Sequence, residues 1–170
     1  MKTFKHLLIE LNACKEAVKW AQDKTIEEVV EQCHRGDWLL WLAQKVDIGL
    51  QPLTLAKGHC ANTVRHLMED ESSLKVVDTA IAYGEGKVSI EELNAATDAI
   101  AADAIASAAA SAAYAAAYAA ASAAADAAAD AIAYGAASAA SKKENQMLTA
   151  DICRKYIGDL IIDKVNKLIK

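Results

Sequence analysis

A chain of 170 residues with one proline, seven glycines and a formal charge of -5 suits a single domain with a proper core, and its few breakers exclude long disordered linkers. The charge is uneven: residues 1–87 carry -2, residues 88–141 carry -6 with no lysine or arginine, and residues 142–170 carry +3. An acidic, cation-free middle excludes a nucleic-acid groove there, since phosphate binding needs Lys and Arg. It suits either a solvated face or a basic protein partner.

The periodicity predicts helix throughout. Phe4, Leu7, Leu8, Leu11, Cys14, Ala17, Val18 and Ala21 recur at three- and four-residue steps and predict one amphipathic first helix. Thr25-Ile26-Glu27-Glu28 is a capping-box pattern that opens a second, running through Val29, Val30 and Cys33. Gly36 is placed to end it in the left-handed conformation, and Asp37 to cap a third helix from Trp38 to about Val46. Pro52 suits the first turn of a fourth, to about Met68. Glu69–Ser73 reads as a polar break before a fifth, from Leu74 to Tyr83. Gly84-Glu85-Gly86 is a tight turn, and Ser89-Ile90-Glu91-Glu92 is a second capping box. From about Gln146, Leu148, Ile152, Tyr156 and Leu160 mark a further apolar stripe, with a short terminal helix over Leu160–Lys170.

Between Ala95 and Ala140, 30 of 46 residues are alanine, the strongest helix former. As one straight helix this tract would be a rod of about 69 Å, against a diameter of roughly 40 Å for a globule of this size. From Asp103 to Ser141 its Ser, Asp and Tyr residues recur every 3.8 positions on average, so their stripe would slide around a straight helix. A right-handed supercoil or a break follows. The expected solution is a break near Ser107–Ser111 or Ser122 that gives two tightly packed helices. The uncharged run Ala104–Ala125 has the length of a membrane span, but Ile105 is its only strongly apolar aliphatic residue, so no span is expected.

Chemistry-bearing motifs are sparse. Cys33-His34-Arg35-Gly36-Asp37-Trp38 is the densest segment, followed by Trp41 on the face of Trp38. The two tryptophans either plug a helix junction, with Asp37 capping, or Arg35 and Asp37 flank an exposed loop that meets a partner. Tyr114, Tyr118 and Tyr134 either cover short helices or form a partner-facing ridge, tyrosine being enriched at binding hot spots. Asp126 and Asp130 form an i, i+4 acidic pair among alanines, with no base or cation nearby in sequence. His59, Cys60 and His66 lack strong zinc spacing, and no nucleophile elbow or phosphate loop occurs. No enzyme, cofactor or metal is therefore expected. One threonine in the tract, Thr97, does not make the regular array expected of an ice-binding surface. The four cysteines sit at apolar-periodic positions and read as small buried hydrophobes. The N-terminus lacks the continuous apolar core of a signal peptide, so free thiols in the cytoplasm are expected.

Several blocks carry a family resemblance: Asn12-Ala13-Cys14-Lys15-Glu16-Ala17 with Trp20, the run from Cys33 to Leu42, His59-Cys60-Ala61, Ala80 to Gly86, Ser89 to Leu93, the alanine tract, and Asp151 to Lys155. In that order they resemble a family of small, all-helical, alanine-rich immunity proteins of bacterial polymorphic toxin systems, also found in phage and prophage genomes. The resemblance implies a non-catalytic protein that neutralises a cognate toxin by occlusion. It supplies no functional residues.

The expectation is an all-α chain, a compact multi-helix bundle or short helical solenoid. Residues 1–170 form one domain: mixed helices over 1–87, alanine-rich helices over 88–141 and C-terminal helices over 142–170. Arg35, Asp37, Tyr114, Tyr118, Asp126 and Asp130 are its candidate partner-binding residues. The partner is a toxin or, alternatively, another protein bound by a phage-encoded or bacterial adaptor, with no nucleic acid or membrane. Alanine faces also suit a homodimer.

Overall fold

The structure, a computed structural model, describes residues 2–68, 70–106 and 139–170, with side chains outside 99–106 and 139–142. Its fold is all-α. The elements are α1 (Phe4–Glu10), α2 (Lys15–Trp20), α3 (Ile26–Gln32), α4 (Gly36–Lys45), α5 (Leu50–Asn62), a 3₁₀ turn (Arg65–Leu67), α6 (Glu71–Gly84), α7 (Ile90–Ala106) and α8 (Ala139–Ile169). The break expected within the alanine tract, and Tyr114, Tyr118, Tyr134, Asp126 and Asp130, lie outside the described residues.

The expected first helix is two. Asn12 takes φ 60°, Ala13 N–H donates to Leu8 C=O at 2.9 Å, and Asn12 N–H donates to Ile9 C=O at 3.0 Å. That pair of bonds is a Schellman stop, with asparagine in the position glycine usually fills. The same device ends α4 at Asp47 (φ 53°) and α6 at Gly86 (φ 71°). Both capping boxes form as expected. Thr25 N–H donates to Glu28 Oε2 at 2.7 Å, and Ser89 N–H to Glu92 Oε2 at 2.8 Å. The run from Asp70 to Ser73 starts α6 rather than breaking the chain, because the Asp70 carboxylate accepts from the Ser73 N–H at 3.0 Å. α5 begins at Leu50, with Pro52 inside its first turn, and stops at Asn62, short of the expected Met68.

Gly36 does not end a helix; it lies in the first turn of α4, and Asp37 is not its cap. The reason is tertiary. A Cβ on Gly36 would sit 2.6 Å from the Thr149 carbonyl carbon and 2.7 Å from its Cβ, so α4 crosses α8 backbone to backbone. Gly84 plays the same part between α6 and α5, where a Cβ would lie 2.6 Å from Leu55 Cα. Small residues let helix axes approach to the short end of their usual range.

α8 runs 31 residues without interruption, joining what the sequence divides into two helices. It packs on α4, α5, α3 and α1, whereas α6 packs on α5 and α7. Its buried stripe is Ala150, Cys153, Ile157, Ile161 and Val165. The expected stripe is displaced: Leu148 is 47% exposed, Leu160 is 40% exposed, and Ile152 and Tyr156 are half-buried. Both rows are apolar at four-residue steps, but the row carrying Ala150 and Cys153 permits the close crossing at Gly36.

Three thiols meet at these crossings. Cys33 Sγ donates to Arg35 O at 3.4 Å, Cys60 Sγ to Thr149 O at 3.8 Å, and Cys153 Sγ to Gly36 O at 3.7 Å. Arg154 Nη1 caps the end of α3 by donating to Cys33 O at 2.7 Å and Val30 O at 3.3 Å. Cys14 departs from the expected burial: it precedes α2 and is exposed. Among the described residues no helix is long and apolar enough to cross a membrane, and no three His, Cys, Asp or Glu side chains could together hold a metal.

Candidate functional site: a tryptophan-ringed recess

Helices α1 to α4 enclose an apolar recess of about 280 Å³. The Schellman stop at Asn12 turns α2 back beside α1, so that Phe4 and Leu8 face Ala17 and Trp20 across it. Val29 and Cys33 of the α3 region form one wall, and Trp38 and Trp41 of α4 another. All three tryptophans of the chain line this one space. Trp38 and Trp41 share a face because they are three apart on α4, as the spacing requires.

The rim is held in place by charge. Arg35 grips Asp37 with both arms of its guanidinium, Nε to Oδ1 at 2.8 Å and Nη2 to Oδ2 at 2.6 Å. The same guanidinium lies 4.8 Å from the centroid of the Trp38 ring, within cation–π range. Trp38 in turn meets Trp20, with ring centroids 6.0 Å apart and planes at 58°. His34 stands edge-on to Trp20 at 6.2 Å, and Lys24 Nζ lies 5.3 Å from the Trp20 ring.

Arg35 and Asp37 are therefore brought together, but as a half-buried pair and not as the flanks of an exposed loop. Asp37 sits inside the first turn of α4, where a carboxylate complements the helix dipole, and its oxygens are taken by Arg35 instead of capping. Trp20, Phe4, Leu8 and Cys14 join the site without having been singled out for it. Their signal was weak: each fits an ordinary amphipathic pattern, and only the turn at Asn12 brings them round.

The chemistry on offer is that of contact. Burial pushes the Cys33 thiol above its usual range, which keeps it protonated and poorly nucleophilic. Cys14 lines the recess from the exposed side. The rest of the lining is chiefly hydrocarbon and indole, with Asp37 already neutralised by Arg35. An apolar cavity of roughly 150 Å³ accommodates benzene, so this recess has room for a large aliphatic or aromatic side chain. No family model, no curated protein and no solved structure matches the chain.

Proposed function

We propose that this protein works by binding another protein, and that the recess seats an apolar side chain of a cognate toxin whose active surface is then covered. One observation supports the reading above others: every tryptophan of the chain lines a single open apolar space, and Arg35 is held against two of its lining residues, Asp37 and Trp38. Tryptophan and arginine are the residues most enriched at binding hot spots, and such hot spots centre on well-packed pockets. Arg35 is already fixed by Asp37 and Trp38, so docking against it costs little further side-chain entropy. Occlusion asks no chemistry of the binder. The toxin is named as partner because of the resemblance to alanine-rich immunity proteins.

The test is co-expression with toxins encoded beside the gene, followed by co-purification. The unaltered chain should protect cells and form a complex. Ala17→Phe fills the recess from its own wall and should weaken the complex tenfold or more, about 1.4 kcal/mol, with helicity unchanged by circular dichroism. Undiminished protection by Ala17→Phe would remove the recess from the account. Capture of an unrelated host or phage protein in place of a toxin would favour an adaptor.

A further inference from the structure

A second concave surface lies on the other side of the α1–α2 turn. It is a groove of about 570 Å³ whose apolar lining includes Ile9 and Val18, with Lys5, Lys15 and Lys19 around it. Ala13 is the one residue that lines both groove and recess. Ile9 is 52% exposed, a large aliphatic side chain presented to solvent.

The charge here runs against the net charge of the chain. The protein is -5 overall, yet the groove lining holds three lysines and no carboxylate. None of the three makes an ion pair or hydrogen bond among the described residues. Of the nearby acids, Glu10 pairs with Lys2, and Glu16 sits on α2 beside Lys15 but is not in the groove lining. Helical geometry sets the fringe, since Lys15 and Lys19 are four apart on α2, one above the other.

We propose that this groove binds an acidic polypeptide segment carrying a leucine-like side chain between its carboxylates. Complementary charge steers such a segment in and selects against basic ones. The apolar floor takes the side chain, a term that lysines alone do not supply. Nucleic acid fits less well. The groove has no aromatic ring to stack a base, and nucleic-acid sites need a wider Lys/Arg footprint on a basic domain. A membrane surface fits less well because one exposed isoleucine and a half-buried valine offer too little apolar area for stable insertion.

Apart from Ala13, the groove uses residues other than those of the tryptophan recess, so either can fail alone. The probe is a short fluorescein-labelled peptide of glutamates and aspartates around a central leucine, followed by anisotropy at low and high salt. It should bind, weaken as salt rises, and lose about tenfold or more when its leucine is replaced by serine. The triple variant Lys5→Glu/Lys15→Glu/Lys19→Glu should abolish binding, and Ile9→Ser should match the serine peptide in effect. Ala17→Phe should leave binding unchanged. The proposal is overturned by absence of binding, by equal binding of the serine peptide or the triple variant, or by preference for a DNA duplex or phosphatidylserine vesicles. Self-association of the chain that the triple variant abolishes would also overturn it, by making a second copy the occupant.

Discussion

Gly36 and Thr149 touch where α4 crosses α8, and no side chain fits between them. Any Cβ at position 36 would meet Thr149 backbone and Cβ atoms at 2.6–2.7 Å, which cannot move without shifting α8. Gly36→Ala should therefore destabilise the protein by about 3 kcal/mol, the upper end of ordinary overpacking. Gly158 on the same helix is a contrast. A Cβ there would meet only Val30 Cγ1, at 3.2 Å, the far end of a side chain. Gly158→Ala should stay within about 1 kcal/mol, because that neighbour can give and the helix gains a better former. Urea unfolding of both variants checks the difference, and equal midpoints would mean that the crossing is looser than it is drawn.

Local signals carried the reading of the fold, and tertiary ones limited it. The capping boxes at Thr25 and Ser89 were legible because both partners lie within one turn of sequence. Gly86 was legible as a turn for the same reason. Asn12 and Asp47 were not, since outside a structure an asparagine in an apolar-periodic run looks like any polar position. Gly36 misled because glycine serves two ends, a left-handed stop or a close crossing, and only the presence of Thr149 decides between them. The displaced stripe on α8 has the same origin: hydropathy does not distinguish Ile152 and Tyr156 from Cys153 and Ile157, whereas size at the crossing does. Of the candidate site, Arg35 and Asp37 stood out by local density. Trp20 and Phe4 reach it through a turn that the periodicity ran straight over.

His59 makes stability depend on pH in a defined direction. Its ring stacks on Tyr156 with centroids 4.4 Å apart and planes at 7°, and the resulting burial lowers its pKa below the usual 6.5, against a smaller opposing pull from Glu85. The folded state then binds fewer protons than the unfolded state between the two pKa values. Stability from this source is complete above pH 6.5 and declines as pH falls through that value, levelling off below the folded pKa. His59→Phe keeps an aromatic ring on Tyr156 and removes the proton site. The urea midpoint of the unaltered protein should fall more between pH 7.5 and pH 5.5 than that of His59→Phe. Parallel falls would place the acid sensitivity in a group other than His59; Asp78, whose pKa Arg65 lowers, adds its own loss only as pH falls towards 3.8 and below.

The four cysteines should divide one against three. Cys33, Cys60 and Cys153 are at most 1% exposed, and Cys153 is held well above the usual thiol range by the neighbouring Cys60 thiol and by burial. Burial bars reagents from all three, and Cys33 and Cys153 are in addition held as thiols, so the three should resist reagents while the fold persists. Cys14 is exposed on the lip of the recess. A chromogenic disulfide reagent should titrate one thiol per chain rapidly in the native state and all four in urea, and Cys14→Ser should abolish the rapid phase. The three tryptophans of the chain all line that recess. A bulky adduct on Cys14 should therefore change the intrinsic fluorescence and, with a bound partner in place, react more slowly. More than one rapid thiol would show that α8 parts from α4 and α5 in solution. An adduct that leaves the fluorescence untouched would mean that Cys14 stands clear of the indoles.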